Sequence, residues 1–445
     1  MFKGHPKGLI AASLANMGER FGFYTMMAIL VLFLQAKFGL SGTNAGYIYA
    51  GFYFSIYILA LAGGIIADKL RNYKGTILTG LILMGVGYFI LAIPTPTPVS
   101  SVPLFLGISI LGLFVIAFGN GLFKGNLQAL VGQMYDNDTY KDKRDSGFSL
   151  FYAFINIGAI FAPMVAPAIR KWWLAKNNFL YDANLPEQCH SFLAGTMSSD
   201  NLVRFQDAAN AAVINGNASL ESFSSEYLNV FNTGFHYAFG IAIFAMLISL
   251  VIFIANKKTF PNPAGSKDAK ADGQNKTQTI EMDPKEIKQR IYALLAVFAV
   301  VIFFWFSFHQ NGLTLTMFAK DYTLLKIGSW EFSVELFQSM NPFFVVFLTP
   351  IVVAIFGWLR ARDKEPSTPK KIAIGMFIAA MGFVVMTLGS FGLPLFKEIS
   401  PAAGGAPLAD GLKVGPYVLL FTYFILTVAE LFFCPMGISF GSIVA

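Results

Sequence analysis

Apolar runs set the plan of this chain. Ten of them recur along it, near residues 9–36, 45–68, 74–94, 103–135, 148–172, 233–256, 288–319, 331–359, 371–395 and 415–441. Tyr237–Ala255 and Ile291–Phe308 carry no charge at all. Each run is near or above the roughly 20 residues that cross a bilayer as a helix. Strands of a membrane barrel would be shorter and would alternate in polarity, and these runs do neither. The pattern predicts an all-α polytopic membrane protein with ten membrane helices.

Composition agrees: 55% of the 445 residues are hydrophobic, 16% are aromatic and only 13% are charged, against about 25% charged in a soluble chain. The first run is too long for the core of a cleavable signal peptide and reads as a membrane helix. The net charge of +7 is not a sign of nucleic-acid binding, because the basic residues lie in particular loops. They follow the second run (Lys69, Arg71, Lys74), the fourth (Lys141, Lys143, Arg144), the sixth (Lys257 to Arg290) and the eighth (Arg360 to Lys371), with Lys3 and Lys7 at the start. All of these share one side if the N-terminus is inside, whereas Ile93–Val99 on the other side has none. The positive-inside rule then makes the N-terminus cytoplasmic and the chain a multi-pass protein of the plasma or inner membrane.

Two stretches stand apart. Residues 257–287 are polar and rich in Lys, Asp and Gln, and predict a flexible cytoplasmic linker. Residues 174–230 predict an outer loop with short amphipathic helices. Cys189 and Cys434 fall in very different segments, so a disulfide has no support. His190 and Cys189 lack the clustered partners of a metal site. Six helices, a linker and more helices suggest the two-bundle plan of major facilitator transporters: residues 1–256, then the linker, then 288–445. Gly63-Gly64 before Asp68-Lys69 and Gly357 before Arg360 form a weak internal echo, equally readable as generic basic loops.

Five ionisable residues lie at membrane depth: Glu19, Arg20, Lys124, His309 and Glu430. Such groups are expensive in lipid unless they face a protected cavity. Each alone could be an internal ion pair that locks helices together; the set exceeds what packing needs. Fixed cations with a carboxylate suit a zwitterion. Arg20 can hold a carboxylate through two parallel hydrogen bonds, Lys124 can add a point charge, and Glu430 can hold an ammonium. Phe23, Tyr24, Tyr57 and Trp305 can line side-chain pockets, although membrane aromatics usually only pack. No Ser-His-Asp arrangement, metal-spaced cluster or phosphate loop stands out, so an enzyme is not expected.

The motifs around these residues resemble the proton-dependent oligopeptide transporter family of the major facilitator superfamily. Asn16 to Tyr24 is similar to its E-x-x-E-R-F-x-Y-Y, Gly119 to Asn126 to its G-N-G-x-F-K-P-N, and Phe151 to Ala159 to its F-Y-x-x-I-N-x-G-S/A. Gly63 to Asp68, Trp305 to Gln310, Gln338 to Pro342 and Glu430 to Gly437 resemble further family stretches. The resemblance implies a symporter that imports di- and tripeptides with protons by alternating access, with no cofactor, as a monomer in the lipid bilayer. It implies that Arg20 and Lys124 hold the peptide carboxylate and Glu430 its amino terminus. Tyr24, Tyr57, Asn156 and Trp305 would line the pocket, and Glu19 would serve proton coupling.

Departures matter as well. Asn16 replaces the first acid, Phe23 a tyrosine, Gly125 a proline, and His309 the acid of the seventh helix. His309 can titrate near neutrality as a coupling residue, or sit as a neutral hydrogen-bonding core histidine. The family has at least twelve membrane helices, and the last run here ends at the tenth. The second bundle is therefore expected to be an incomplete, four-helix one, its missing pair lost by truncation or supplied from elsewhere. Alternatives to peptide symport are an uncoupled facilitator for another small solute and a non-transporting remnant.

Overall fold

A computed structural model describes residues 4–261, 284–401 and 405–444. Most of the linker at 257–287 lies outside them, as do the side chains from 433 onward, Cys434 included. Ten long helices form: α1 Lys7–Phe38, α2 Gly42–Leu70, α3 Tyr73–Ala92, α4 Val102–Gln133, α5 Arg144–Lys176, α6 Leu220–Ala255, α7 Pro284–Phe308, α8 Met340–Arg360, α9 Thr368–Gly389 and α10 Tyr417–Val444. Eight spans among the described residues are long and apolar enough to cross a membrane, and Tyr417–Phe432 of α10 is a shorter apolar stretch.

Local chemistry sets the ends. Gly39 closes α1 at φ 65°, where a side chain would be strained. Ser41 caps α2 by accepting from the Asn44 N–H, and Asn72 caps α3 by accepting from the Gly75 N–H. Pro163 and Pro167 lie inside α5, which a membrane helix tolerates because its neighbours re-satisfy the freed carbonyls.

Three boundaries differ from the hydrophobic pattern. Helix α6 starts at Leu220 rather than near 233, because its first turns bury Phe223, Tyr227 and Leu228 against the outer loop. Helix α7 ends at Phe308, and His309–Gly312 forms a tight turn before a short helix at Thr314–Tyr322. The eighth run is interrupted as well. Its first residues pair in a two-stranded ribbon, β1 Lys326–Ile327 with β2 Trp330–Glu331, and a tight turn at Val334–Ser339 precedes α8. Pro342 then sits in the first turn of α8, where no N–H is missed. The outer loop holds short helices at Leu185–Leu193 and Ser199–Ala212.

The chain forms two compact units. The first comprises Met1–Ala264 with Ser333–Ser339 and Pro394–Gly411; the second comprises Gly265–Phe332, Met340–Leu393 and Leu412–Ala445. In the first unit α1 is enclosed: 83% of its apolar window is buried, against 22% for α2. It packs on α5 and α6, while α4 packs on α2 and α3. Glycines set the α4 contacts. A Cβ on Gly63 would collide with the Gly121 backbone, and one on Gly80 would meet the Gly119 carbonyl at 2.6 Å. This backbone-to-backbone approach is how membrane helices gain dispersion energy without a hydrophobic drive. In the second unit, α10 packs on α9, α8 and α7.

Two buried polar clusters brace the first unit. Lys37 is 2% exposed. Its Nζ donates to Thr95 Oγ1 at 2.5 Å and to the Thr95 carbonyl at 3.3 Å, and lies 2.7 Å from His236 Nε2. His236 Nδ1 lies 2.6 Å from the Leu91 carbonyl, so Nδ1 carries the proton and Nε2 accepts from Lys37. Arg170 Nη2 donates to Glu335 Oε1 at 2.6 Å, with both side chains at most 1% exposed. The guanidinium also lies over Tyr181, Phe231 and Phe235, at 4.6, 4.9 and 4.6 Å from the ring centroids.

Candidate functional site

The charged residues singled out in the sequence divide between the two units. In the first unit Glu19 and Arg20 lie midway along α1, 0% and 5% exposed. Arg20 Nε donates to Glu19 Oε2 at 2.5 Å and Nη2 to Oε1 at 2.7 Å. The carboxylate thus takes the side edge of the guanidinium, which leaves Nη1 for another acceptor. Asn120 of α4 adds Nδ2 to Glu19 Oε1 at 2.9 Å. The Arg20 guanidinium lies 4.7 Å from the Phe23 ring centroid, so Phe23 braces the arginine with its face.

Lys124, one turn beyond Asn120 on α4, places Nζ 5.6 Å from the Tyr57 ring centroid and lies within electrostatic reach of Arg20 and Glu19. Tyr24 and Tyr53 lie within electrostatic reach of Arg20, and Tyr53 also of Tyr57. Tyr57 is half exposed. Arg20, Tyr24, Tyr57 and Lys124 therefore form one neighbourhood, with Tyr53 an addition that sequence reasoning passed over. Asn156 of α5 is 8% exposed, and its Nδ2 donates to the Tyr152 carbonyl of its own helix at 3.1 Å. Chemically this unit offers two cations against one neutralising carboxylate. That surplus of one positive charge, set among tyrosines, suits an anionic group.

In the second unit Glu430 of α10 is 7% exposed. Asn341, the first residue after the start of α8, donates Nδ2 to Glu430 Oε2 at 2.8 Å and to Thr427 Oγ1 at 3.1 Å. The carboxylate is thus held by one neutral amide, which leaves its charge available to a cation. Trp305 stacks on His309 with ring centroids 5.5 Å apart and planes at 25°. His309 stands in the turn that ends α7 rather than within a continuous helix. Asn341 was visible in its motif without a role, and Thr427 had no sequence signal.

The structure also adds buried charges that the sequence reading did not single out: Lys37, Arg170 and Glu335. Each makes its contacts within the first unit, with Glu335 Oε2 left without a hydrogen-bond partner. In the outer loop, burial holds His190 below the ordinary histidine range although the Ala36 carbonyl, 2.8 Å from Nε2, opposes this. Burial pushes the Cys189 thiol up, which makes it unreactive. Among the described residues no group of three His, Cys, Asp or Glu side chains could hold a metal ion.

A family model described as the POT family matches residues 74–279 and 266–442. A peptide transporter of Yersinia enterocolitica is 27% identical over 465 residues, covering 100% of this chain and 83% of the relative. An uncharacterised transporter of Bacillus subtilis is 26% identical and covers 98% of this chain and 82% of the relative. Among solved structures, a peptide transporter POT in complex with sulfate superposes with TM-score 0.70 at 24% identity, covering 100% of this chain and 84% of that one. A POT family transporter in complex with 5-aminolevulinic acid gives TM-score 0.70 at 20% identity, over 100% and 85%. The fold is the one these transporters share.

Proposed function

From the premise that this chain belongs to the POT family, matched along both of its halves, we propose that it imports di- and tripeptides with protons by alternating access across the cell membrane, its N-terminus in the cytoplasm. The observation that carries this reading is the Arg20 guanidinium. Glu19 occupies one edge of it, and Lys124 lies nearby to make the net charge positive. A peptide carboxylate fits the remaining donors, since bidentate and charge-assisted hydrogen bonds are the strong ones. Glu430, held by Asn341, is the matching acceptor for the amino terminus. Tyr24, Tyr57, Asn156 and Trp305 supply the surface against which side chains rest. Glu19 carries the coupling proton, with His309 as the candidate second carrier. Named relatives that transport peptides support the substrate class.

Uptake of a labelled dipeptide by proteoliposomes tests the proposal. An inward proton gradient should drive accumulation above equilibrium, and no accumulation by Arg20-intact protein would sink it. Asn16 and His309, in place of acids, favour a second reading as an uncoupled facilitator. Uptake that a protonophore leaves unchanged would select that reading.

A further inference from the structure

Two fully buried polar atoms beside the Glu19–Arg20 pair have no partner. Asn120 is 0% exposed, and its Oδ1 accepts no hydrogen bond. Tyr88 of α3 is also 0% exposed and its hydroxyl is unpaired, while it lies within electrostatic reach of Glu19 and Arg20. A buried polar atom left without a partner is expensive, so such atoms mark places where another state of the molecule makes the bond. The orientation of the Asn120 amide follows from the chemistry. Both Glu19 oxygens accept from Arg20, and Oε1 accepts from the amide as well, which therefore faces it with Nδ2.

We propose that Asn120 is the positioning residue that lets Glu19 exist in both of its charge states. With Glu19 ionised, Asn120 donates Nδ2–H to it, as observed. When Glu19 is protonated, its buried O–H needs an acceptor. Rotation of the amide about its last torsion presents Oδ1, which accepts that proton without moving α1 or α4. The exchange is balanced: one proton arrives, Arg20 keeps its own, and the Nδ2–H to Oε1 hydrogen bond is given up for the one from the new O–H to Oδ1. Asn16 lies one turn before Glu19 and cannot titrate, so no second acid on this face can share the task. Arg20 on α1, Tyr88 on α3 and Lys124 on α4 lie within electrostatic reach of Glu19, and Tyr24 on α1 and Tyr53 on α2 within reach of Arg20. Helices α5 and α6 present Gly158 and Ser249 to this stretch of α1. Of these, Lys124 and Arg20 can only donate, whereas a tyrosine hydroxyl can also accept, so Tyr88→Phe is the variant that separates the amide oxygen from the Tyr88 hydroxyl as acceptor.

The proposal rests on the reading of Glu19 as proton carrier, but its test needs no substrate. Infrared difference spectra between neutral and acid pH, in liposomes, give the carboxyl stretch of protonated Glu19, assigned by its loss in Glu19→Gln. In the wild type the band should have the lowered frequency of a hydrogen-bonded acid. Asn120→Leu, which keeps the volume, and Asn120→Ala, as a second folded variant, should shift it to that of an unbonded acid, whereas Tyr88→Phe should not. Should neither Asn120 variant fold, isotope-labelled asparagine in the wild type still reports: its amide carbonyl band must move on acidification. A band unaffected by the Asn120 variants, or an asparagine carbonyl that ignores pH, overturns the proposal. In the same vesicles, proton-driven dipeptide uptake by Asn120→Leu should fall at least about tenfold, and by more than dipeptide exchange, which moves no net proton. A shifted band without dipeptide exchange in the wild type would instead overturn the peptide reading and leave Asn120 in place.

Discussion

The buried pair of Arg170 and Glu335 sets the strongest expectation about stability. Their 2.6 Å contact corresponds to a gross attraction of about 6 kcal/mol at an effective dielectric of about 20. Desolvation of the two ions offsets most of it, so the pair as a whole is worth little against an apolar replacement. Breaking it is another matter, and the surroundings make the two single changes unequal. The guanidinium rests on three aromatic faces, each worth about 0.5–2 kcal/mol. Glu335 Oε2 has no hydrogen-bond partner. Arg170→Met therefore strands a buried carboxylate without its cation and should cost about 3–5 kcal/mol. Glu335→Gln leaves the arginine an amide acceptor and its three rings, and should cost about 1–3 kcal/mol. The double change Arg170→Met with Glu335→Leu should return to within about 1 kcal/mol of the starting protein. Equilibrium unfolding in mixed micelles with rising SDS measures all three. A double variant as unstable as the sum of the singles, or a larger loss for Glu335→Gln than for Arg170→Met, would refute this reasoning.

Three further expectations follow from other contacts. Gly63→Val places a side chain against the Gly121 carbonyl and should lose at least about 1–3 kcal/mol of packing between α2 and α4, seen as a smaller monodisperse fraction after extraction. Arg20→Lys keeps the charge and loses the fork, so dipeptide affinity measured by calorimetry should drop about tenfold. Burial lowers His190 below its ordinary value of 6.5; the unfolded chain then takes up the proton first as pH falls below that value. Stability should be unaffected above it and decline below it, by no more than about 1.4 kcal/mol per pH unit for one proton, and His190→Gln should flatten that part of the profile.

The sequence made the helices legible because lipid leaves so few alternatives: a run of apolar residues must satisfy its own backbone. It made Glu19, Arg20 and Glu430 conspicuous for the same reason, as charges where charge is costly. What it left out depends on neighbours. Nothing around His309 marks the end of α7, since Gly312 comes only three residues later and the break follows from the turn that leads into Thr314–Tyr322. Arg170 lies near the end of its apolar run and does not stand out there, because its importance comes from Glu335 and three aromatic rings that are distant or unmarked in the sequence. Asn120 sat in a quoted motif, yet only its distance to Glu19 gives it a part in the chemistry.

Lys37 has one more consequence, for labelling experiments. Its three ammonium hydrogens are all engaged, by Thr95 twice and by His236, and the side chain is sealed from solvent. An amine-acylating reagent needs a free lone pair on nitrogen, which this lysine cannot present while the ends of α1, α3 and α6 hold together. Peptide mass mapping after brief acylation should therefore find Lys37 unmodified in the intact protein and modified once that junction opens, making it a built-in reporter of local unfolding that requires no engineered probe.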